Sequence, residues 1–281
     1  MSLSRIGFAF NPTSEAALEL RDRAEAWCRD GGIDHWSAQA GDLVTLHREL
    51  PKTDVLVVLG GDGTFLRAAQ AVALVDVPLL GVNLGKVGFL SKAEAHELEP
   101  VLLQLTQGQF NVGERMGLTG AILRGGRPNE EESFSALNDI VVARGSLARV
   151  VRLDVTIDES HLATFVSDGL VVSSPTGSTG YSFSAGGPIL DPRSRNLVVT
   201  PIAGYLSALR SIVVSPEQVV RCRVVDAFEA LVSIDGREDR KLQVGDVVEV
   251  RALERPIRFV EPHGALPFWD LLRTKVALLP S

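Results

Sequence analysis

Cysteine is scarce in this chain. There are two in 281 residues, Cys28 and Cys222, far apart and in no metal-like spacing. A disulfide framework is therefore not expected, and a reducing cytoplasm is the expected home. Positive charge is also in deficit. Lys and Arg number 28 against 35 Asp and Glu, a formal net charge of −7. That balance offers no electrostatic case for nucleic acid or for an anionic membrane surface. No apolar run is long enough to cross a bilayer. The opening Met1-Ser2-Leu3-Ser4-Arg5-Ile6 has no long apolar core of a signal peptide. A cytoplasmic protein with small-molecule partners is expected.

Several familiar signatures are missing too. No G-x-x-x-x-G-K-[ST] occurs, because Val87 follows Lys86, so a Walker-type NTPase is not expected. No G-x-G-x-x-G follows a strand, which removes support for a dehydrogenase-type site. Thr176-Gly177-Ser178-Thr179-Gly180 lacks the first glycine of a nucleophile elbow. His96-Glu97 lacks the second histidine of a zinc-protease helix, and the five histidines are scattered.

The chain does have apolar content, 45% of residues, enough for one large domain or two smaller ones. Its first part alternates strand and helix signals. Arg5 to Phe10 reads as a strand, and a helix capped by Thr13 or Ser14 runs to about Arg29. Asp42 to Leu50 reads as a short helix. The strand Val55 to Leu59 follows, then a helix from about Thr64 to Ala73, a strand at Val77 to Asn83, and a helix at about Ala93 to Leu105. Near-continuous apolar strands between helices predict a parallel, Rossmann-like sheet. After about Gly108 the segments turn short and β-branched, the pattern of an all-β, sandwich-like domain. The expected division is an α/β domain over 1–112, a β-rich domain over 113–262, and a C-terminal segment over 263–281 ending in a helix at Phe268 to Val276. Gly125 to Ser133 reads as an exposed hairpin or loop.

Gly60-Gly61-Asp62-Gly63-Thr64 is the most informative stretch. It joins a buried strand to a helix. Glycines let backbone N–H groups approach an anion, and a helix start adds partial positive charge. An aspartate there repels phosphate unless it takes a proton or holds a metal. The motif suggests phosphoryl transfer; the plainer reading is a tight turn with Asp62 as a cap. A second stretch, Ser167 to Gly187, is dense in hydroxyls and glycines, which suit a ligand rich in ribose and phosphate oxygens. Tyr181 offers a flat face for a base. A third, Asn138-Asp139, could hold a ribose and a base edge, or be an ordinary turn.

Together these segments resemble the NAD kinase family in order and spacing. Pro175 to Tyr181, Gly186-Gly187-Pro188, Asn83 to Leu90 and Ile234-Asp235-Gly236 add to the likeness. The resemblance implies ATP-dependent phosphorylation of the 2′-hydroxyl of the adenosine ribose of NAD, giving NADP. It implies Asp62 as the catalytic residue, with Gly61, Gly63 and Thr64 near phosphates; because the chain lacks a P-loop lysine, a nearby arginine such as Arg67 is expected to help handle them. Asn138 and Asp139 would hold adenosine. Asp168, Thr176, Thr179, Gly180, Tyr181, Ser182, Phe183 and Ser184 would line the NAD site, joined by Arg149, Phe89 and Arg237. It further implies Mg²⁺ bridging the ATP oxygens, a site between the two domains, a final helix returning to the first domain, and a homodimer or homotetramer. The chain departs from the family pattern at four positions. Asp139 stands where many members have Glu, Gly180 where Ala is common, Arg237 where Gln is frequent, and Val166 where some carry a basic residue. A lipid kinase sharing the glycine turn and a non-catalytic NAD(P) sensor are the alternatives.

Overall fold

The computed structural model describes residues 3–277, apart from 86–87, 126, 128–131, 147–148, 205–208 and 238–239. The chain divides into two compact units. One runs to Glu114 and resumes at Ile257; the other is Arg115–Pro256.

The first unit opens with β1 (Arg5–Phe10), α1 (Glu15–Asp30), β2 (Asp34–Gln39), α2 (Leu43–Glu49), β3 (Val55–Leu59), α3 (Asp62–Val72) and β4 (Leu79–Asn83). β5 (Ala93–Glu94), α4 (Leu98–Thr106) and β6 (Phe110–Arg115) follow. The Ser14 side chain caps α1 by accepting the Ala17 N–H, and Asp42 caps α2 by accepting that of Thr45. β3 and β4 are buried at every position, the burial expected of strands covered on both faces. β1 pairs in parallel with β2 and β3, and β3 with β4. Helices α1 and α4 close a core of Ile6, Phe8, Val57, Val82, Leu98 and Leu102.

Two readings of this region change. β2 was not expected. It is an edge strand in which Ala38 alone is buried, so it carries almost no apolar alternation. Its Trp36 lies over Gly7, where a Cβ would approach the indole to 2.6 Å. The helix expected from Ala93 begins only at Leu98. Glu94 and Glu97 form a capping box around a short 3-10 turn at Ala95–Glu97, and Ala93 and Glu94 are drawn into parallel pairing with β4.

The second unit is built of twelve strands in the described residues. They are β7 (Leu118–Leu123), β8 (Ser133–Ala136), β9 (Asp139–Arg144), β10 (Val151–Ile157), β11 (Ser160–Ser167), β12 (Gly169–Ser173), β13 (Leu197–Ile202), β14 (Ile212–Val214), β15 (Val220–Asp226), β16 (Ala230–Ile234), β17 (Arg240–Leu242) and β18 (Val247–Ala252). One four-residue helix, α5 (Tyr181–Ser184), interrupts them. Two six-stranded sheets form, ordered β11-β10-β15-β18-β7-β8 and β14-β13-β12-β9-β16-β17. β7 and β10 alternate buried and open positions, as one-sided strands do. Leu153, Val155, Phe165, Cys222 and Val250 from one sheet share a core with Ile140, Val142, Leu170, Val199 and Val232 from the other. This is a β-sandwich. Most of the loop expected at Gly125 to Ser133 lies outside the described residues, as do Lys86 and Val87.

The chain then re-enters the first unit. β19 (Ile257–Pro262) pairs in parallel with β4 through Phe259 and Leu79, and Phe259 stacks at 5.0 Å against Phe65 of α3. Residues 257–262, counted with the β-rich domain in the sequence reading, therefore belong by pairing to the α/β sheet, whose order is β2-β1-β3-β4-β19-β6. Their short β-branched run reads the same in either sheet. α6 (Phe268–Ala277) follows, with Phe268 6.1 Å from the Phe89 ring.

Candidate active site

In the first unit the glycine turn leaves the C-terminal end of β3 and starts α3. Gly61, and not Asp62, is the helix N-cap, and no side chain caps it. Thr64 N–H donates to Gly61 O at 2.9 Å, so the N–H groups of Asp62 and Gly63 are the ones the turn offers an anion. Gly60 lies against Thr64, where a Cβ would come within 2.6 Å of Oγ1. Gly60 N–H donates to Val82 O at 3.0 Å, which ties the turn to β4.

Asp62, the first residue of α3, is half-buried, and its Oδ1 is buried with no hydrogen-bond partner among the described residues. Burial pushes its carboxyl above the ordinary aspartate range. The backbone N–H groups of Leu90 and Phe89 and the positive charge of Lys275 pull the other way. Gly88 faces the same carboxylate, with no room for a Cβ between them. Phe89 is half-buried, with Lys275 Nζ 5.2 Å from its ring centroid. Asn83 is buried at the end of β4, its Oδ1 4.0 Å from where a Gly61 Cβ would lie. Arg67 is exposed and passes Gly41, at 3.6 Å from a Cβ there. Five residues along the helix turn it about 140° away from Asp62, so the two do not share a face.

In the second unit Asp235 organises the turn before β9. It sits at φ 51°, ahead of Gly236 at φ 69°. Its carboxylate accepts the backbone N–H groups of Leu137 at 2.9 Å, Asn138 at 2.7 Å and Asp139 at 3.2 Å. Burial raises the Asp235 carboxyl, opposed by those three donors. Asp139, 6% exposed, has its carboxyl raised to about 7 by burial and then by the Asp235 charge. The hydroxyl-rich segment locks onto the same turn. Ser174 donates its hydroxyl to Leu137 O at 2.6 Å and its N–H to Asn138 O at 2.8 Å. Its Oγ accepts the Gly177 N–H. Gly177 has no room for a side chain against the Asn138 carbonyl. A Cβ on Gly180 would lie 3.8 Å from Asp139 Oδ2 and 3.9 Å from Asn138 Nδ2.

Among the described residues, three buried polar atoms of this region have no hydrogen-bond partner: Asn138 Oδ1, Thr176 Oγ1 and Arg237 Nη1. Buried polar groups are costly to leave unmade, so such atoms point to a ligand. The remaining segment residues divide. Tyr181 and Phe183 are exposed at 46% and 48%, unusual for aromatics, and Ser184 is exposed beside them. Ser182 is buried and turned inward, 3.3 Å from Thr200 Oγ1, and Thr179 donates to Thr176 O at 3.2 Å.

Asp168 and Arg149 are not brought to this end. The register places Ser173 opposite Asp139 but Gly169 opposite Ala143. Asp168 therefore lies roughly 15 Å along the strands from Asp139. Arg144 holds it with Nε to Oδ1 at 2.7 Å and Nη2 to Oδ2 at 3.3 Å. Arg149 is at this far end, its guanidinium 5.7 Å over the Phe228 ring. Arg144, Gly88 and Lys275 were not singled out from the sequence. Lys275 and Gly88 acquire their positions only through tertiary packing, but Arg144 follows Asn138-Asp139 on the same strand.

An uncapped glycine turn with a carboxylate at a strand end, and a sandwich turn with orphaned polar atoms, define a nucleotide-handling phosphotransferase. The ATP-NAD kinase N-terminal domain matches residues 3–110, and the ATP-NAD kinase C-terminal domain residues 137–262. An NAD kinase of Natranaerobius thermophilus is 39% identical over 280 residues, covering 96% of this chain and 97% of the relative. One of Syntrophotalea carbinolica is 37% identical over 284 residues, covering 98% of each. The fold matches yeast NADH kinase complexed with NADH at a TM-score of 0.86, with 21% identity over 100% of this chain and 89% of that one. It matches an NAD kinase from Archaeoglobus fulgidus in complex with ATP at 0.78, with 24% identity over 98% and 100%. The chain belongs to the NAD kinase family, and it is a phosphotransferase with an alcohol acceptor. A lipid kinase or a non-catalytic sensor is not favoured.

Proposed function

We propose that the chain transfers the γ-phosphoryl group of ATP to the 2′-hydroxyl of the adenosine ribose of NAD, with Asp62 as its catalytic residue. The observation that carries this reading is Asp62 Oδ1, a buried acceptor with no partner among the described residues, beside a helix start that no side chain caps. Such an oxygen is suited to take the proton of a ribose hydroxyl as it attacks phosphorus. Its raised pKa moves it toward the range where a general base works well. The turn's N–H groups supply charge stabilisation for the donor phosphates, and alignment supplies the rest.

A divalent cation, Mg²⁺, would neutralise the phosphate oxygens of ATP. Among the described residues no group of three or more His, Cys, Asp or Glu could hold a metal by itself. We place the ion on the phosphates of the nucleotide, with the Asp62 carboxylate as the charged side chain of this turn that would help hold it. Asn138, Asp139 and Thr176 would hold the adenosine. Asp168 and Arg149 stand too far along the strands to join them within one copy. That separation supports a homodimer or homotetramer in which a second copy contributes the Asp168 end. Among the described residues no helix is long and apolar enough to cross a membrane, and the cytoplasm is the proposed location.

Incubation of the purified protein with ATP, Mg²⁺ and NAD, with NADP read by an NADP-specific dehydrogenase, tests the reading. NADP formation supports it. Tight NAD binding without turnover would leave only a sensor.

A further inference from the structure

The free edge of β4 forks. Leu79 in its first half pairs with Phe259 of β19, while Val82 and Asn83 in its second half pair with β5. The two partner strands cannot both follow β4 to its end, and a cavity of about 530 Å³ opens beside them. That is the size of a small-ligand pocket. It lies wholly within the first unit.

Its floor is apolar, with Val101 of α4, Pro262 at the end of β19 and Leu271 of α6 all buried. Two of its lining residues carry polar atoms that are buried and have no partner among the described residues. Ser91 is 0% exposed and its Oγ makes no hydrogen bond. Gln104 Oε1 is likewise unpaired, although its Nε2 donates to His263 O at 3.4 Å. Glu94 also lines the pocket; its carboxylate already accepts the Glu97 N–H of the capping box and lies 3.4 Å from His96 Nδ1, and it keeps further acceptor capacity. Lys92, the lysine of the lining, is engaged in an interaction of its own. The unmet demand is for a donor to Gln104 Oε1 and for a donor or acceptor to the Ser91 hydroxyl, over an apolar body. Acceptor oxygens of this kind are paid for only when a donor arrives.

We propose that this fork is a second ligand site, and that it takes a small primary amine with an apolar body. The ammonium donates to Gln104 Oε1, Ser91 Oγ and the Glu94 carboxylate, and the hydrocarbon lies on Val101, Pro262 and Leu271. The site is separate from the glycine turn but adjoins it through the chain. Ser91 follows Leu90, whose N–H faces Asp62, and Leu271 lies one helical turn before Lys275.

The test is calorimetric titration of the full chain with phenethylamine, repeated with Ser91→Ala and Gln104→Leu. Ser91→Ala removes no hydrogen bond of the described residues, and Gln104→Leu removes only the long, exposed one from Nε2 to His263 O, so both variants keep a thermal midpoint close to that of the parent. Saturable binding, weakened about tenfold or more in each variant and kept in Asp62→Asn, is the expected result. 2-Phenylethanol, which has the same body without the ammonium, binds at least tenfold more weakly. Absence of saturable phenethylamine binding, or binding unchanged in both variants, would overturn the proposal. Loss of binding in Asp62→Asn alone would assign the amine to the glycine turn instead, which also overturns it.

Discussion

Gly88 and Asp62 are matched to each other: the only side chain that leaves the Asp62 carboxylate in place is the hydrogen atom of glycine. The carboxylate lies where a Gly88 Cβ would be built. The same short segment presents the amides of Phe89 and Leu90 to Asp62. Gly88 thus confines the position of the carboxylate, and the amides of Phe89 and Leu90 oppose the rise that burial imposes on it.

Gly88→Ala tests that fit. The methyl group must displace either the segment or the carboxylate. A displacement of about 1 Å in a reacting group can cost on the order of a hundredfold in rate. We expect kcat to fall by roughly that order while the thermal midpoint changes little, because Gly88 is not in the core. Unaltered kcat would show that the segment yields without moving Asp62.

Asp235 makes a stability prediction. Three backbone N–H groups depend on its carboxylate. Asp235→Ala leaves them unpaired in a buried turn, at a cost of roughly 3 kcal/mol in unfolding free energy. Asp235→Asn keeps one acceptor oxygen and costs less. Denaturant unfolding measures both. Equal stability of Ala and wild type would remove Asp235 as the organiser of the turn.

How much of this was legible in the sequence depends on what each residue needs. Asp62 could be read because a carboxylate among glycines has few structural uses, and β3 and α3 mark its place. The β-sandwich could be read because its strands are short and β-branched. Asp235 was quoted only as part of a motif. Its hold on residues 137–139 spans about a hundred positions, which no local pattern reports. β2 has no readable pattern because this edge strand buries one side chain, and β19 reads as part of the β-rich domain because pairing partners are not written in a six-residue run. The separation of Asp168 from Asp139 follows from strand register alone, and it too needs the fold.

Asp139 makes a pH prediction. Its carboxyl is raised to about 7, above the unfolded value of about 3.9. A group raised in the folded state leaves stability intact below the unfolded pKa. Stability is then lost as pH rises toward the folded pKa, because the folded protein must ionise a buried carboxyl. The wild type should therefore lose stability between about pH 4 and pH 7. Asp139→Asn has no such proton to release. Its unfolding free energy should fall less between about pH 5 and about pH 8, by at least about 1 kcal/mol relative to wild type. Parallel pH profiles for the two proteins would contradict the assignment.

The most direct measurement compares NADP formation by wild type and Asp62→Asn at saturating ATP, Mg²⁺ and NAD, with NAD affinity determined by equilibrium binding on both. Removal of a general base is expected to lower kcat by roughly a hundred- to ten-thousand-fold, while NAD affinity stays within a few fold. Turnover by the variant at the wild-type rate would contradict the role of Asp62, and no NADP from the wild type would contradict the function itself.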